Sequence, residues 1–184
     1  MTVAALVLAA GGGTRWDGPG HKLLTEVRGR PLWSWAVDGA AAAGLDDVFV
    51  VVGAVDLPVP ADVVLVRNER WREGQATSLA AGIAAAAAAG HDTVVVGLAD
   101  QPGVTAAAWR AVASASSPMA VAVYDDDRQG HPVRLHSSVW PLLSPHGDEG
   151  ARAVMRERPD LVGRVACEGD PSDVDTVEDL TAWS

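Results

Sequence analysis

Short apolar runs alternate along this chain with alanine-rich stretches of helical length, and that alternation limits the fold more than any other feature. Residues 3–9, 48–52, 63–66, 93–98 and 119–124 are dominated by Val, Leu and Ala. They lack the polar alternation of a half-exposed strand, so they read as strands, with 3–9 and 48–52 buried and 63–66 weaker. Between them, 31–43, 74–89 and 105–115 have the composition and length of helices. Pro31 opens the first, and Gly44 and Gly90 stop the first two. Strands alternating with helices predict an α/β sandwich with a mainly parallel sheet. The alanine run 84–89 predicts a helix lying close against that sheet. The alternation ends near residue 124. Beyond it the sequence predicts a turn at 125–130, helices at 139–143 and 149–158, and a strand at 162–166. A last helix runs through Trp183 after the capping-box-like start Thr176-Val-Glu-Asp179. This last third is expected to add an edge hairpin and covering helices. No repeat or long linker divides the 184 residues, so a single domain over 1–184 is expected.

Composition narrows the function classes. The balance of 14 basic and 24 acidic residues gives a net charge of −10. A duplex nucleic-acid binder needs a basic face, so no nucleic-acid partner is expected. A small anionic ligand stays open, because a few local donors can overcome the global field. One cysteine, Cys167, excludes an internal disulfide framework and a multi-cysteine zinc site, and fits a reducing compartment. The apolar opening lacks a basic region and stops at three glycines, so it does not read as a signal peptide. No run reaches the roughly 18 apolar residues of a membrane helix. A cytoplasmic protein with no membrane partner is expected.

Several constellations can carry chemistry. Leu8-Ala-Ala-Gly-Gly-Gly-Thr-Arg15 places a glycine loop directly after the first strand, and Lys22 follows as the only lysine of the chain. Backbone N–H groups in such a loop approach a phosphate closely; Arg15 adds a fork of donors and Lys22 a mobile point charge. The loop is not a Walker A sequence, since Gly-Lys-Ser/Thr is missing. Nor is it a dinucleotide fingerprint, since no helix opens after the glycines and no acidic partner follows. Asp100, in Leu98-Ala-Asp-Gln-Pro102, sits just past the end of a strand, where open parallel sheets bind ligands. One carboxylate plus substrate phosphates is a common Mg²⁺ site, and a turn aspartate before proline reads equally well. Asp173 and Asp175 precede Thr176; on extended chain they share a side, so either could reach the same metal, or both could serve the helix dipole. Gly74 and Ser78, at the entrance of the alanine helix, offer small surfaces for a base or ribose, or ordinary caps. His131 reads as a turn residue or an acceptor contact, and Arg152 as a phosphate grip or a salt-bridge partner. The seven tryptophans read mainly as packing residues, with stacking at Trp16 or Trp71 the minority option.

In order, these pieces resemble the MobA-like nucleotidyltransferase family, and most closely its molybdenum cofactor cytidylyltransferase branch. The resemblance spans nearly the whole chain. It rests on 8–24, Gly29-Arg-Pro-Leu32, Glu73-Gly-Gln-Ala-Thr-Ser-Leu79, Ala99-Asp-Gln-Pro102, Gly130-His-Pro-Val133, 147–152 and 173–180. Trp16-Asp17 replaces the family's usual Met or Phe followed by Gly, and about two extra residues separate Arg15 from Lys22. The resemblance implies a three-layer α/β/α sandwich with a Rossmann-like, mostly parallel mixed sheet. It implies Mg²⁺-dependent transfer of CMP from CTP to a phosphorylated acceptor, molybdopterin carrying molybdenum, with release of pyrophosphate. A molybdenum hydroxylase apoenzyme is the implied downstream partner. By the same resemblance, Ala10, Gly11, Gly12, Gly13, Arg15, Lys22, Gly74 and Ser78 bind the nucleotide. Arg15, Lys22 and Asp100 are the catalytic set, Asp100 and Asp175 hold Mg²⁺, and His131 and Arg152 face the acceptor. Rival readings are a guanylyltransferase, a transferase for another small phosphorylated acceptor, a non-catalytic maturation partner of molybdenum hydroxylases, and an NAD(P)-dependent reductase.

Overall fold

A computed structural model describes residues 2–183, apart from the side chain of Asp126. Strand β1 (Val3–Ala9) runs along the centre of a sheet and ends at the glycine loop. A small hairpin, β2 (Glu26–Val27) and β3 (Arg30–Pro31), turns through Arg28 and Gly29, both at positive φ. It leads into helix α1 (Leu32–Ala41). Strands β4 (Asp47–Val52) and β5 (Val64–Arg67), helix α2 (Gln75–Ala88), strand β6 (Thr93–Leu98) and helix α3 (Ala106–Ala113) follow. Then come β7 (Met119–Val123), β8 (Gln129–His136), α4 (Arg152–Glu157) and β9 (Val162–Ala166). The seven long strands form one mixed sheet in the order β5–β4–β1–β6–β8–β7–β9. Only β8 runs against its neighbours. The expected three-layer, mostly parallel α/β/α architecture is the one observed.

The period of two along buried strands divides the core between the two faces. Ala5, Val7, Val50, Val52 and Val95 face α1 and α3, packing on Leu32, Trp33, Val37 and Trp109. Leu6, Leu8, Phe49, Val51, Val94 and Val96 face the other way, toward Leu79 and Ala86 of α2 and Val154 of α4. The alanine helix does lie close to the sheet: a Cβ added at Gly82 of α2 would run into the Leu6 side chain.

The last third departs from the expected pattern. The hairpin is not at an edge, because β8 inserts between β6 and β7 and β9 forms the edge. Val133 and Leu135 of β8 are buried, which fixes its position inside the sheet. The helix expected at 139–143 is a 3-10 turn over Ser137–Leu142 with Pro141 inside it. That expected at 149–158 starts only at Arg152, because Gly147 and Gly150 sit at positive φ in a loop. The capping box forms: the Asp179 carboxylate accepts from the Thr176 N–H at 2.8 Å, and the Thr176 hydroxyl accepts from the Asp179 N–H at 3.3 Å. The segment it caps, Asp179–Trp183, is a 3-10 turn. Among the described residues no helix is long and apolar enough to cross a membrane.

Trp109 is fully buried, and its indole ring covers Gly97 of β6; an added Cβ there would lie 2.5 Å from the ring. A rigid ring in a packed core cannot yield cheaply. Gly97→Ala is therefore expected to cost about 1–3 kcal/mol of stability, read by urea denaturation. An unchanged midpoint would contradict this packing.

Candidate active site

The central strands β1 and β6 end side by side, with the Ala99 N–H donating to the Leu8 carbonyl at 3.0 Å. The glycine loop crosses this carboxyl edge, and Gly13 adopts φ +61°, a conformation that favours glycine. His21 ties the loop down. Its Nδ1 accepts from the Leu23 N–H at 3.2 Å, so Nε2 carries the proton and donates to the Gly11 carbonyl at 3.1 Å. Burial lowers the pKa of this imidazole, with Lys22 nearby acting in the same direction.

Below the loop lies a knot of charges. The Lys22 ammonium is 2.8 Å from Asp100 Oδ2 and 2.8 Å from Asp175 Oδ1, and only 9% of the lysine side chain is exposed. Arg15 reaches the other oxygen of Asp175 at 2.8 Å from an exposed position. Burial works against the ammonium, but the Asp100 carboxylate and then Asp175 outweigh it and raise its pKa. The C-terminal segment is brought here by backbone and side-chain bonds. The Val174 N–H donates to the Asp100 carbonyl at 2.9 Å. Gln101 Nε2 donates to Asp173 Oδ1 at 2.6 Å and to the Pro171 carbonyl at 2.8 Å. Burial and then the neighbouring Asp100 charge push the Asp173 pKa up. The longer loop after Arg15 folds onto the same segment, where Asp17 accepts from the Val177 N–H at 3.1 Å.

One cleft of about 720 Å³ collects Ala10, Gly11, Gly12, Gly13, Arg15, Lys22, Gly74, Ser78, Asp100, Arg152 and Asp175. Asp173, Trp71, Arg72 and Asp148 also line it. Trp71 packs over Gly12 and Gly53, and the Arg72 guanidinium lies 4.3 Å from its ring centroid. Trp16 does not line the cleft; it packs on Gly18 and binds the Pro19 carbonyl at 3.5 Å. The entrance of α2 is covered, as the Ala76 N–H donates to the Gly147 carbonyl at 2.9 Å and the Gln75 N–H to Asp148 Oδ1 at 3.2 Å.

His131 is placed elsewhere. It lines a neighbouring pocket of about 510 Å³, with a floor that includes Val96, Val121, Val133 and Leu135. Arg152, Leu8 and Gln75 line both cavities and mark their junction. Burial, then the charge of Arg152, push the His131 pKa down to about 4. The imidazole is neutral near pH 7, so it can hydrogen-bond a ligand but supplies no charge.

The donor set suits a divalent cation of the magnesium type. Asp100 Oδ1 is buried without a hydrogen-bond partner, and Lys22 already supplies a positive charge between the two carboxylates. Among the described residues no group of three or more His, Cys, Asp or Glu side chains is placed to hold a metal ion.

A model of the MobA-like NTP transferase domain matches residues 5–162. The chain belongs to this family. Membership makes it a nucleotidyltransferase by class. Among curated proteins, nicotine blue oxidoreductase of Paenarthrobacter nicotinovorans is 35% identical over 97% of this chain and 94% of its own length. A nucleotidyl transferase from Methanothermobacter thermautotroptrophicus has the same fold, with TM-score 0.83, 24% identity and coverage of 98% and 95% of the two chains. Rv0371C from Mycobacterium tuberculosis, solved as a complex with manganese, is 26% identical with TM-score 0.74, over 100% of this chain and 98% of that one.

The His131 environment sets a pH dependence. Its folded pKa, about 4, lies below the ordinary value of 6.5. Between those values the unfolded chain binds more protons, so stability falls as pH drops from 6.5 toward 4. His131→Gln is expected to remove this part of the slope, read as the difference between wild-type and variant denaturation curves across the window. Parallel curves would contradict the lowered pKa of this imidazole.

Proposed function

We propose that this one domain, residues 1–184, moves a nucleotidyl group from an NTP, CTP in the preferred reading, onto a phosphorylated acceptor, molybdopterin carrying molybdenum. The observation that carries this is the Lys22 ammonium held between Asp100 and Asp175 beneath the glycine loop. Two carboxylates at the carboxyl end of central parallel strands, with a lysine and a glycine loop beside them, suit a triphosphate with its cation. The loop of 10–13 cradles the phosphates, and Arg15 and Lys22 neutralise them. Gly74 and Ser78 take the nucleoside. Asp100 and Asp175 hold a divalent cation, Mg²⁺, which when bound supplies charge neutralisation at the triphosphate. The acceptor phosphate oxygen attacks the α-phosphorus, a new P–O bond forms, and the bond to the β-phosphate oxygen breaks to release pyrophosphate. A phosphate already ionised at neutral pH needs no general base, so positioning and electrostatics carry the rate. Arg152, at the junction of the two cavities, grips the acceptor's phosphate, and neutral His131 contacts its body. A molybdenum hydroxylase apoenzyme is the downstream partner in this reading.

A second reading is favoured by one finding, the name of the 35% identical relative, nicotine blue oxidoreductase. In it the same cleft binds a pyridine nucleotide, and the apolar pocket takes an organic electron acceptor.

Thermal unfolding with CTP, GTP, ATP, UTP and NADPH, each with Mg²⁺, separates the two. Saturating CTP is expected to raise the melting temperature by roughly 5–10 °C, since a ligand that binds only the folded state stabilises it. Asp100→Asn is expected to lose most of that shift. A shift with GTP alone would keep the mechanism and change the substrate. A shift with NADPH alone would overturn nucleotidyl transfer in favour of the second reading.

A further inference from the structure

Asn68 is the only asparagine of the chain and it is buried, 5% exposed, just beyond the end of β5. Its side chain joins three groups. Oδ1 accepts from the Arg70 N–H at 2.9 Å. Nδ2 donates to the Ser78 hydroxyl at 2.9 Å and to the Thr77 hydroxyl at 2.9 Å. The orientation of the amide is forced, because a backbone N–H must face the oxygen, not the NH₂. Both protons of Nδ2 are therefore spent on the two hydroxyls.

That fixes the polarity of each hydroxyl. Each accepts from Asn68, so each must send its own proton elsewhere. Thr77 has two carbonyls in reach, Gly74 at 2.9 Å and Arg70 at 3.1 Å. Ser78 has no acceptor in hydrogen-bond range among the described residues, and it lines the nucleotide cleft. Ser78 is 5% exposed and lines the cleft, so in the free protein that proton is left to water in the cleft.

We propose that Asn68 is a positioning residue that sets Ser78 as a hydrogen-bond donor into the cleft, so that the bound nucleotide must present an acceptor there. This rests on the nucleotide reading of the cleft. The atom in question is a carbonyl oxygen, an unprotonated ring nitrogen or a ribose oxygen; an amino group at that point is rejected. Asn68→Asp keeps the shape and the bond from the Arg70 N–H but removes both donors. The introduced carboxylate then takes the Ser78 proton, and the serine turns a lone pair to the ligand.

The experiment is nucleotide titration of wild type, Ser78→Ala, Asn68→Asp and the double variant, with the four ribonucleoside triphosphates and Mg²⁺. Circular dichroism checks folding. Ser78→Ala is expected to weaken the preferred nucleotide about tenfold, the worth of one hydrogen bond to a buried site. Asn68→Asp is expected to weaken it at least as much, and the double variant no further than Asn68→Asp alone. Selective ¹⁵N-asparagine labelling gives one side-chain NH₂ pair. One of its protons is expected to shift in Ser78→Ala and again when nucleotide binds. Ser78→Ala binding within twofold of wild type would overturn the proposal while leaving nucleotide binding intact, even if Asn68→Asp fails to fold. Multiplying effects in the double variant would overturn it as well. A wild type that binds none of the four would overturn the nucleotide reading, and the donor assignment with it.

Discussion

The ammonium of Lys22 joins parts of the chain 78 and 153 residues away, and the cleft at the carboxyl edge of the sheet is organised around that junction. At 4 Å, two unit charges near a protein surface attract by about 4 kcal/mol in gross terms. Desolvation takes much of that back, so such a cluster adds position more than stability. Removing one partner has a different consequence, because the remaining charges are left uncompensated in a half-buried site. The glycine loop, the β6 end and the C-terminal segment are therefore held together by charges that also suit a phosphate and a cation. Gln101 reinforces this by fixing Asp173 and Pro171.

The architecture that supports the junction was largely legible in the sequence. Strands buried on both faces announce themselves as apolar runs, and β6 was placed to the residue at Thr93–Leu98. The insertion of β8 was not legible. Its sequence, Gln129-Gly-His-Pro-Val-Arg-Leu-His136, mixes polar residues and proline with only two large apolar side chains. Its place between β6 and β7 follows from pairing with distant strands, which no local pattern encodes. The short covering helices failed for a local reason: Pro141, Gly147 and Gly150 interrupt stretches too short to nucleate a helix without packing.

The cleft was legible where rare residues stood beside strand ends. The lone lysine, the glycine triplet and the carboxylates at 100, 173 and 175 converge as their positions suggested. Their roles as ligands of substrate or cation remain the proposal, and His131 lies in the adjoining pocket. His21 and Asn68 carried no motif. One acts through a ring nitrogen on a glycine carbonyl, the other through an amide buried beneath a helix start. Signals were present, however: a histidine directly before the only lysine, and the only asparagine just ahead of the cleft helix. Fold and chemistry are separate conclusions, since one scaffold can hold different sites.

The measurement that most directly probes the Lys22 junction is a crystal structure with manganese and a CTP analogue whose α–β bridge cannot be cleaved. Anomalous scattering locates the metal without ambiguity. The expected result is one manganese peak between Asp100 and Asp175, with the Lys22 ammonium moved onto the phosphates. Lys22 still seated between the two carboxylates, with nucleotide and manganese bound elsewhere, would contradict the assignment of this cleft to nucleotidyl transfer.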